Sequence, residues 1–406
     1  MTTPRRHAVL VGTAQIRRRP ELDGPWDPAV TEPARMMADA VQAAGKDAGD
    51  LGILPDVDLL AIVDPIAWAY EDIIASVGNL AGMARPFGLL AAPGGNSPCE
   101  LLNQIATDVV DGDSRIAVIA GAESLYTRRR ARLEGIDLKE KCGWPAYEGH
   151  RDFTKGQRPL TNQLEALHGL LVPIHCYPLY ENALRAEAGR TIEEHQSFVA
   201  RLMAAHAAVA KDNPYAWFPN GWSAQEIATV TSDNRWICFP YTKRMNSIIE
   251  IDQAAAVVIM SNEEADRRGV PPEHRVAFLG GASATDAWTP TERASLTSSP
   301  AYEAAAAVAF DHAAVAPDDI DLFDLYSCFP CAVEFAMKAL SLQIDDPRPR
   351  TVTGGLAYAG GPGNDYSLHA LAAMVDRLRS SPAKVGFVSA LGMTATKHAI
   401  SILSTD

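Results

Sequence analysis

The chain has 406 residues, 47% of them hydrophobic, enough to bury a large core as two domains or one duplicated unit. A formal net charge of -14 excludes a nucleic-acid surface built on clustered Lys and Arg, and no apolar run approaches a membrane span. Six cysteines in a chain of this length point to reduced thiols, and Met1 to His7 leads directly into a strand without a signal peptide, so the expected compartment is the cytoplasm.

The first predicted strand covers Val9 to Val11, and a helix follows behind the cap-like Thr31 with Pro33 close after it. Asp56-Val57-Asp58-Leu59-Leu60 enters the next strand. Gly94-Gly95-Asn96-Ser97-Pro98-Cys99 then opens a helix through Val110, with Leu101, Leu102, Ile105, Ala106, Val109 and Val110 on one face. Ile116 to Ala120 is a buried strand closing at Gly121.

A segment of different character occupies about 125–250, rich in Trp, Tyr, Pro and charge, with one strong helix opened by the capping box Thr191-Ile192-Glu193-Glu194. Its arginines Arg128, Arg129, Arg130 and Arg132 read either as a solvated charge run or as guanidinium groups for a nucleotide phosphate. Trp217, Trp222 and Trp236 permit a bulky apolar ligand, and Tyr241 and Lys243 precede the return to core composition at Ala254 to Met260, where they can line a pocket floor. The segment reads as an excursion able to cover a site.

The second half repeats the first. Val276 to Leu279 forms a strand, Ser299 and Pro300 start a helix, and Asp319-Ile320-Asp321-Leu322-Phe323 matches the earlier strand entry. Gly360-Gly361-Pro362-Gly363-Asn364 opens a helix whose Leu368, Leu371, Ala372, Val375 and Leu378 share a face, and Val385 to Val388 closes near Gly392. A repeat of this size fixes the architecture: two similar α/β halves, 1–270 with the insertion and 271–406, in a layered sandwich of helices and sheets. The glycine pairs lack the Gly-x-Gly-x-x-Gly spacing of a dinucleotide site.

Several polar groups lie near these loops in sequence. Cys99 falls in the first helical turn, where the dipole lowers a thiol pKa; it reads as a nucleophile or as a small packed residue. Asn96, Asn364 and Asp365 can cap the two helices, and the asparagine amides can alternatively complete an oxyanion hole. His398 reads as a base or as a structural histidine. Cys328-Phe329-Pro330-Cys331 has the form of a redox motif but no second pair of metal-ligand spacing, so no metal is expected.

Taken together, Gly94 to Pro98, Ala120-Gly121-Ala122-Glu123-Ser124, Tyr326 to Pro330, Gly354-Gly355, Gly360-Gly361-Pro362 and Thr396-Lys397-His398 resemble the thiolase superfamily over nearly the whole chain. The resemblance implies an αβαβα sandwich with a loop domain, a CoA thioester as substrate, no permanently bound cofactor, and a homodimer. It also implies that Gly95, Gly361 and Ser389 occupy the positions of the catalytic Cys, His and second Cys, so ping-pong acyl transfer is unsupported. Tyr326 replaces the histidine of the family's His-Asp-Cys-Phe segment, as in thiolase-like aldolases thought to use tyrosines, with Tyr358 as a possible second tyrosine. The implied function is making or breaking a C-C bond beside a CoA thioester, retro-aldol cleavage being most consistent with these residues. The alternatives are a non-catalytic acyl-CoA or partner-binding protein and a thiolase using Cys99. A small OB-fold partner subunit is a further expectation of the resemblance.

Overall fold

The computed structural model describes residues 6–49, 51–84, 86–146 and 158–405. Part of the insertion, 147–157, therefore lies outside the described residues. Among the described residues there are eleven strands: β1 (Ala8–Arg17), β2 (Leu59–Val63), β3 (Phe87–Leu90), β4 (Ile116–Ser124), β5 (Trp236–Cys238), β6 (Tyr241–Thr242), β7 (Asp252–Ser261), β8 (Val276–Thr285), β9 (Leu322–Asp324), β10 (Val385–Gly392) and β11 (Lys397–Ser404). Nine of them form one sheet in the order β3-β2-β4-β7-β1-β8-β11-β10-β9, while β5 and β6 pair separately.

The order is symmetric about the β1–β8 contact. On one side β1, β7, β4 and β2 succeed one another, and on the other β8, β11, β10 and β9 do so with the same directions: antiparallel, antiparallel, then parallel. The edge strand β3 is extra to the first side. β1 and β8 share only the pairs Val9–Ala277 and Leu10–Val276, so the sheet turns from one layer into a second at this short seam.

Side-chain alternation along the strands divides the core into three parts. Ala8, Leu10, Ala117, Ile119, Val388 and Ala390 face a central layer holding helices Ser97–Asp111 and Tyr366–Ser380. Val9, Val11, Ile116 and Val118 face an outer layer with helix Pro33–Asp47, and Phe323, Phe387, Ile400 and Ile402 face the opposite one with helices Pro300–Ala313 and Pro330–Ala339. These are the helix and sheet layers that the repeat predicts. Helix Tyr366–Ser380 is apolar around most of its circumference because sheet covers it on both sides.

Local expectations hold with two corrections. Ser299 caps its helix through Tyr302 N–H at 3.2 Å, and the Thr191–Glu194 capping box is closed in both directions. The residue capping helix Pro33–Asp47 is Glu32, not Thr31; its carboxylate accepts from Ala34 N–H at 3.2 Å and Arg35 N–H at 2.7 Å. Val110 is 40% exposed and leaves the buried face assigned to it, since the helix ends one residue later and Gly112 turns left-handed at φ 89°. Among the described residues no helix is long and apolar enough to cross a membrane.

Candidate active site

The two glycine-rich loops meet. Gly94 N–H donates to Asn364 Oδ1 at 2.9 Å, Asn364 Nδ2 donates to the Asp64 carbonyl at 3.1 Å, and Ser367 Oγ donates to the Gly95 carbonyl at 2.7 Å. Gly94 and Gly360 adopt φ of 144° and 118°, which a side chain rarely tolerates. Both loops open onto a cavity of about 1250 Å³. Gly95, Gly361, Asn364, Tyr326 and Lys243 line it, so five of the residues singled out from sequence converge.

Tyr326 follows β9, whose last residue, Asp324, is pinned by Thr351, Thr353, Tyr366 and backbone N–H groups. Its own N–H donates to Ser389 Oγ at 3.3 Å, and its ring meets Tyr366 edge-on at 5.4 Å. The phenol reaches the floor of the cavity. A Cβ at residue 95 would stand 2.1 Å from Tyr326 Oη and 2.6 Å from the Leu391 carbonyl, so the hydroxyl occupies the space beside Gly95 that any side chain would need. Burial, with the nearby Cys328, pushes this phenol well above its ordinary value, which keeps it protonated.

Gly361 shows the same arrangement with a different partner. A Cβ there would stand 2.1 Å from Ser247 Oγ. Ser247 also lines the cavity, and its N–H donates to the Cys328 carbonyl at 3.0 Å. Sequence reasoning passed over it because Ser247 precedes β7 without any motif; its nearness to Gly361 exists only in three dimensions.

The cavity wall is aromatic. Tyr177 stacks on Phe329 at 4.2 Å, and its hydroxyl accepts from Ala395 N–H at 2.9 Å and donates to the Met393 carbonyl at 3.2 Å. These bonds hold Met393 and Ala395 at φ of 62° and 59°, left-handed values that non-glycine residues seldom adopt. Trp217 lines the mouth, where Arg19 lies against Trp217 and Phe218. Trp222 instead packs on Tyr358, and Trp236 on Phe239. Of the arginine run only Arg129 reaches the cavity, paired with Glu250.

The remaining sequence candidates lie elsewhere. Cys99 is fully buried in the central core, and burial pushes its thiol up to about 12, the reverse of the lowering expected from the helix start. His398 is buried behind Ser299, with Nε2 3.0 Å from Ser299 Oγ and 2.9 Å from the Ala395 carbonyl, and packs edge-on against Tyr302. Tyr358 is enclosed and donates to the Arg244 carbonyl at 3.0 Å. Tyr241 lies behind Phe329 and donates to Glu181 Oε2 at 2.8 Å, in a buried network where His195 meets Glu181 at 2.6 Å.

The asparagines are committed as well. Asn96 Nδ2 donates to Glu100 at 2.8 Å, and Asn364 spends its carbonyl oxygen and one of its two amide hydrogens joining the loops. Cys328 lines the cavity with its thiol pushed up to about 12 by burial, while Cys331 turns away toward Tyr241. Neither forms a disulfide. Ser389 supports the Tyr326 backbone beneath the cavity floor.

No family model matches the chain, and no curated protein does. Among solved structures it is similar to a monomeric SCP2-thiolase-like protein type 1 from Mycobacterium smegmatis, with 30% identity, a TM-score of 0.83, and coverage of 100% of this chain and 79% of that one. Two others share the fold at 18% identity: an Ltp2–ChsH2(DUF35) aldolase, covering 97% of both chains with a TM-score of 0.69, and an acetyl-CoA acetyltransferase from Syntrophomonas wolfei, covering 99% and 100% with a TM-score of 0.71.

Proposed function

The chain belongs to the SCP2-thiolase-like proteins, and from that premise we propose that it is a C-C lyase acting on a 3-hydroxyacyl-CoA thioester, without a covalent cysteine. The observation that carries this reading is the Tyr326 hydroxyl filling the side-chain space of Gly95. Glycine at 95 offers no nucleophile, and a buried Cys99 thiol held near 12 offers no substitute. A protonated phenol at the same point can serve proton transfer.

In the retro-aldol direction Tyr326 Oη accepts the proton of the substrate hydroxyl in concert with the release of its own, so the phenol stays neutral throughout, as the substrate O–H electrons form the new carbonyl. The C-C electrons pass into the thioester as an enolate. Tyr326 hands its own proton to the α-carbon, which leaves a carbonyl product and a shortened acyl-CoA. One proton leaves the substrate oxygen and one arrives at carbon, so the neutral phenol suffices without a net acid or base. Substrate binding is supported by the aromatic wall for an apolar acyl chain, and by Arg19, Arg129 and Lys243 for phosphate groups.

We further propose cytoplasmic residence, in keeping with six free cysteines, and a second copy of the chain as partner through the edge strand β3. An OB-fold subunit as an additional partner is supported by one structure of the same fold, which is named jointly with a DUF35 protein. The test of the activity is incubation of the purified protein with 3-hydroxyacyl-CoA and 3-ketoacyl-CoA panels. Cleavage of the hydroxy series, lost by about 10²-fold or more in Tyr326→Phe, is expected; CoA-dependent cleavage of the keto series, or a Tyr326→Phe variant with unchanged turnover, refutes it.

A further inference from the structure

Four hydroxyl side chains line the cavity: Tyr126, Tyr177, Ser247 and Tyr326. Two of them are engaged by the protein. Tyr126 interacts with Arg130, and Tyr177 is held between Met393 and Ala395. The serines packed around the floor are engaged too: Ser97 with the Gly94 carbonyl, Ser367 with the Gly95 carbonyl and Ser389 with Tyr326 N–H. Among the described residues no hydrogen bond satisfies the hydroxyls of Ser247 and Tyr326, and each stands where a side chain on a cavity-lining glycine would have been.

Ser247 is also firmly placed. Its N–H donates to the Cys328 carbonyl at 3.0 Å, the next N–H, of Ile248, donates to the Leu356 carbonyl at 3.1 Å, and the Ile248 carbonyl accepts from Gly361 N–H at 2.8 Å. Three backbone bonds thus clamp the Ser247 segment to the loop that carries Tyr326 and to the loop that carries Gly361. A hydroxyl fixed by its backbone and unspent on the protein is a preorganised donor, which stabilises developing charge without first reorganising.

We propose that Ser247 is a second catalytic residue, donating its hydroxyl to the thioester oxygen of the substrate while Tyr326 handles the hydroxyl proton. The assignment rests on the lyase reading above. As the C-C bond breaks, its electron pair moves onto the thioester oxygen, so the Ser247 hydrogen bond strengthens as the enolate forms and relaxes when the α-carbon takes its proton. Ser247 itself exchanges no proton in this scheme. A donor of this kind acts on kcat more than on KM, because the charge it answers is absent from the ground state.

The experiment compares wild type, Ser247→Ala, Ser247→Thr and Tyr326→Phe on the 3-hydroxyacyl-CoA panel, with thermal unfolding as the control for folding. The expected result is a kcat about 10²-fold lower in Ser247→Ala with KM changed only a few-fold, and substantial recovery in Ser247→Thr. A Ser247→Ala enzyme with wild-type kcat, beside a Tyr326→Phe enzyme that has lost turnover, overturns the role of Ser247 and leaves the lyase reading standing. A rise in KM alone likewise overturns it. A wild-type protein that cleaves no member of the panel overturns both.

Discussion

Gly95 and Gly361 matter here for the volume they leave open. At each, the missing Cβ makes room for a hydroxyl delivered from another part of the chain, Tyr326 Oη in one case and Ser247 Oγ in the other. The two positions differ in what surrounds them. A methyl group at 361 meets a serine side chain first and backbone only at 3.2 Å, the Ile248 carbonyl, whereas a methyl at 95 also meets the Leu391 carbonyl at 2.6 Å. Gly95→Ala is therefore expected to lower stability by about 1–3 kcal/mol in urea unfolding, along with loss of turnover. Combining it with Tyr326→Phe removes the hydroxyl contact but leaves the ring Cζ at 2.7 Å and the Leu391 carbonyl at 2.6 Å, so it should recover only a minor part of the stability and none of the activity. Equal stability of Gly95→Ala and wild type would show that the Tyr326 hydroxyl is not seated where it is described.

The insertion's long helix, Ile192–Asp212, carries a buried charge problem of its own. His206 is fully enclosed beneath Gly355, its Nδ1–H donating to the Leu202 carbonyl at 3.0 Å, and burial pushes its pKa down to about 4. The folded protein holds this imidazole neutral, while the unfolded chain protonates it near 6.5. Stability from His206 is thus complete above pH 6.5 and is lost as pH falls toward 4, a loss of about 3 kcal/mol at its fullest. Denaturant midpoints measured at pH 7 and pH 5 should fall for wild type and fall less for His206→Leu, whatever the offset between the two proteins. At this scale the sequence was readable where a period or a cap governs. The duplicated strand-helix-loop order, the Thr191 box and the Ser299 cap follow from local spacing, and they appear where spacing puts them. For Cys99, which the sequence left open between nucleophile and packed residue, the helix-start argument concerns only the axis; the side chain points into the central core, and burial outweighs the dipole. Tyr326 was visible as part of a segment, but Ser247 was not, since contact with Gly361 depends on how the insertion returns to the sheet.

For the molecule as a whole, the symmetric sheet leaves an asymmetric edge. β9 ends one side, while the other side gains β3, which pairs with β2 and has no strand on its outer edge among the described residues. Phe87 on that strand is 73% exposed and Leu90 48%, with Leu80 of the neighbouring helix at 45%. An uncovered strand edge with large apolar side chains is a template for pairing, and most homo-oligomers pair such a surface with itself about a twofold axis. A second β3 running antiparallel satisfies the free backbone groups of both copies and covers Phe87 and Leu90 together. The similar mycobacterial protein is monomeric. Sedimentation of the purified chain is expected to give a dimer, and Phe87→Lys, which places a charge where the two strands would meet, is expected to give a folded monomer with its cavity intact. A wild-type monomer at tens of micromolar, or a Phe87→Lys dimer, would remove β3 as the contact. In the second case the pairing surface lies elsewhere, and Phe87 is simply an exposed apolar side chain.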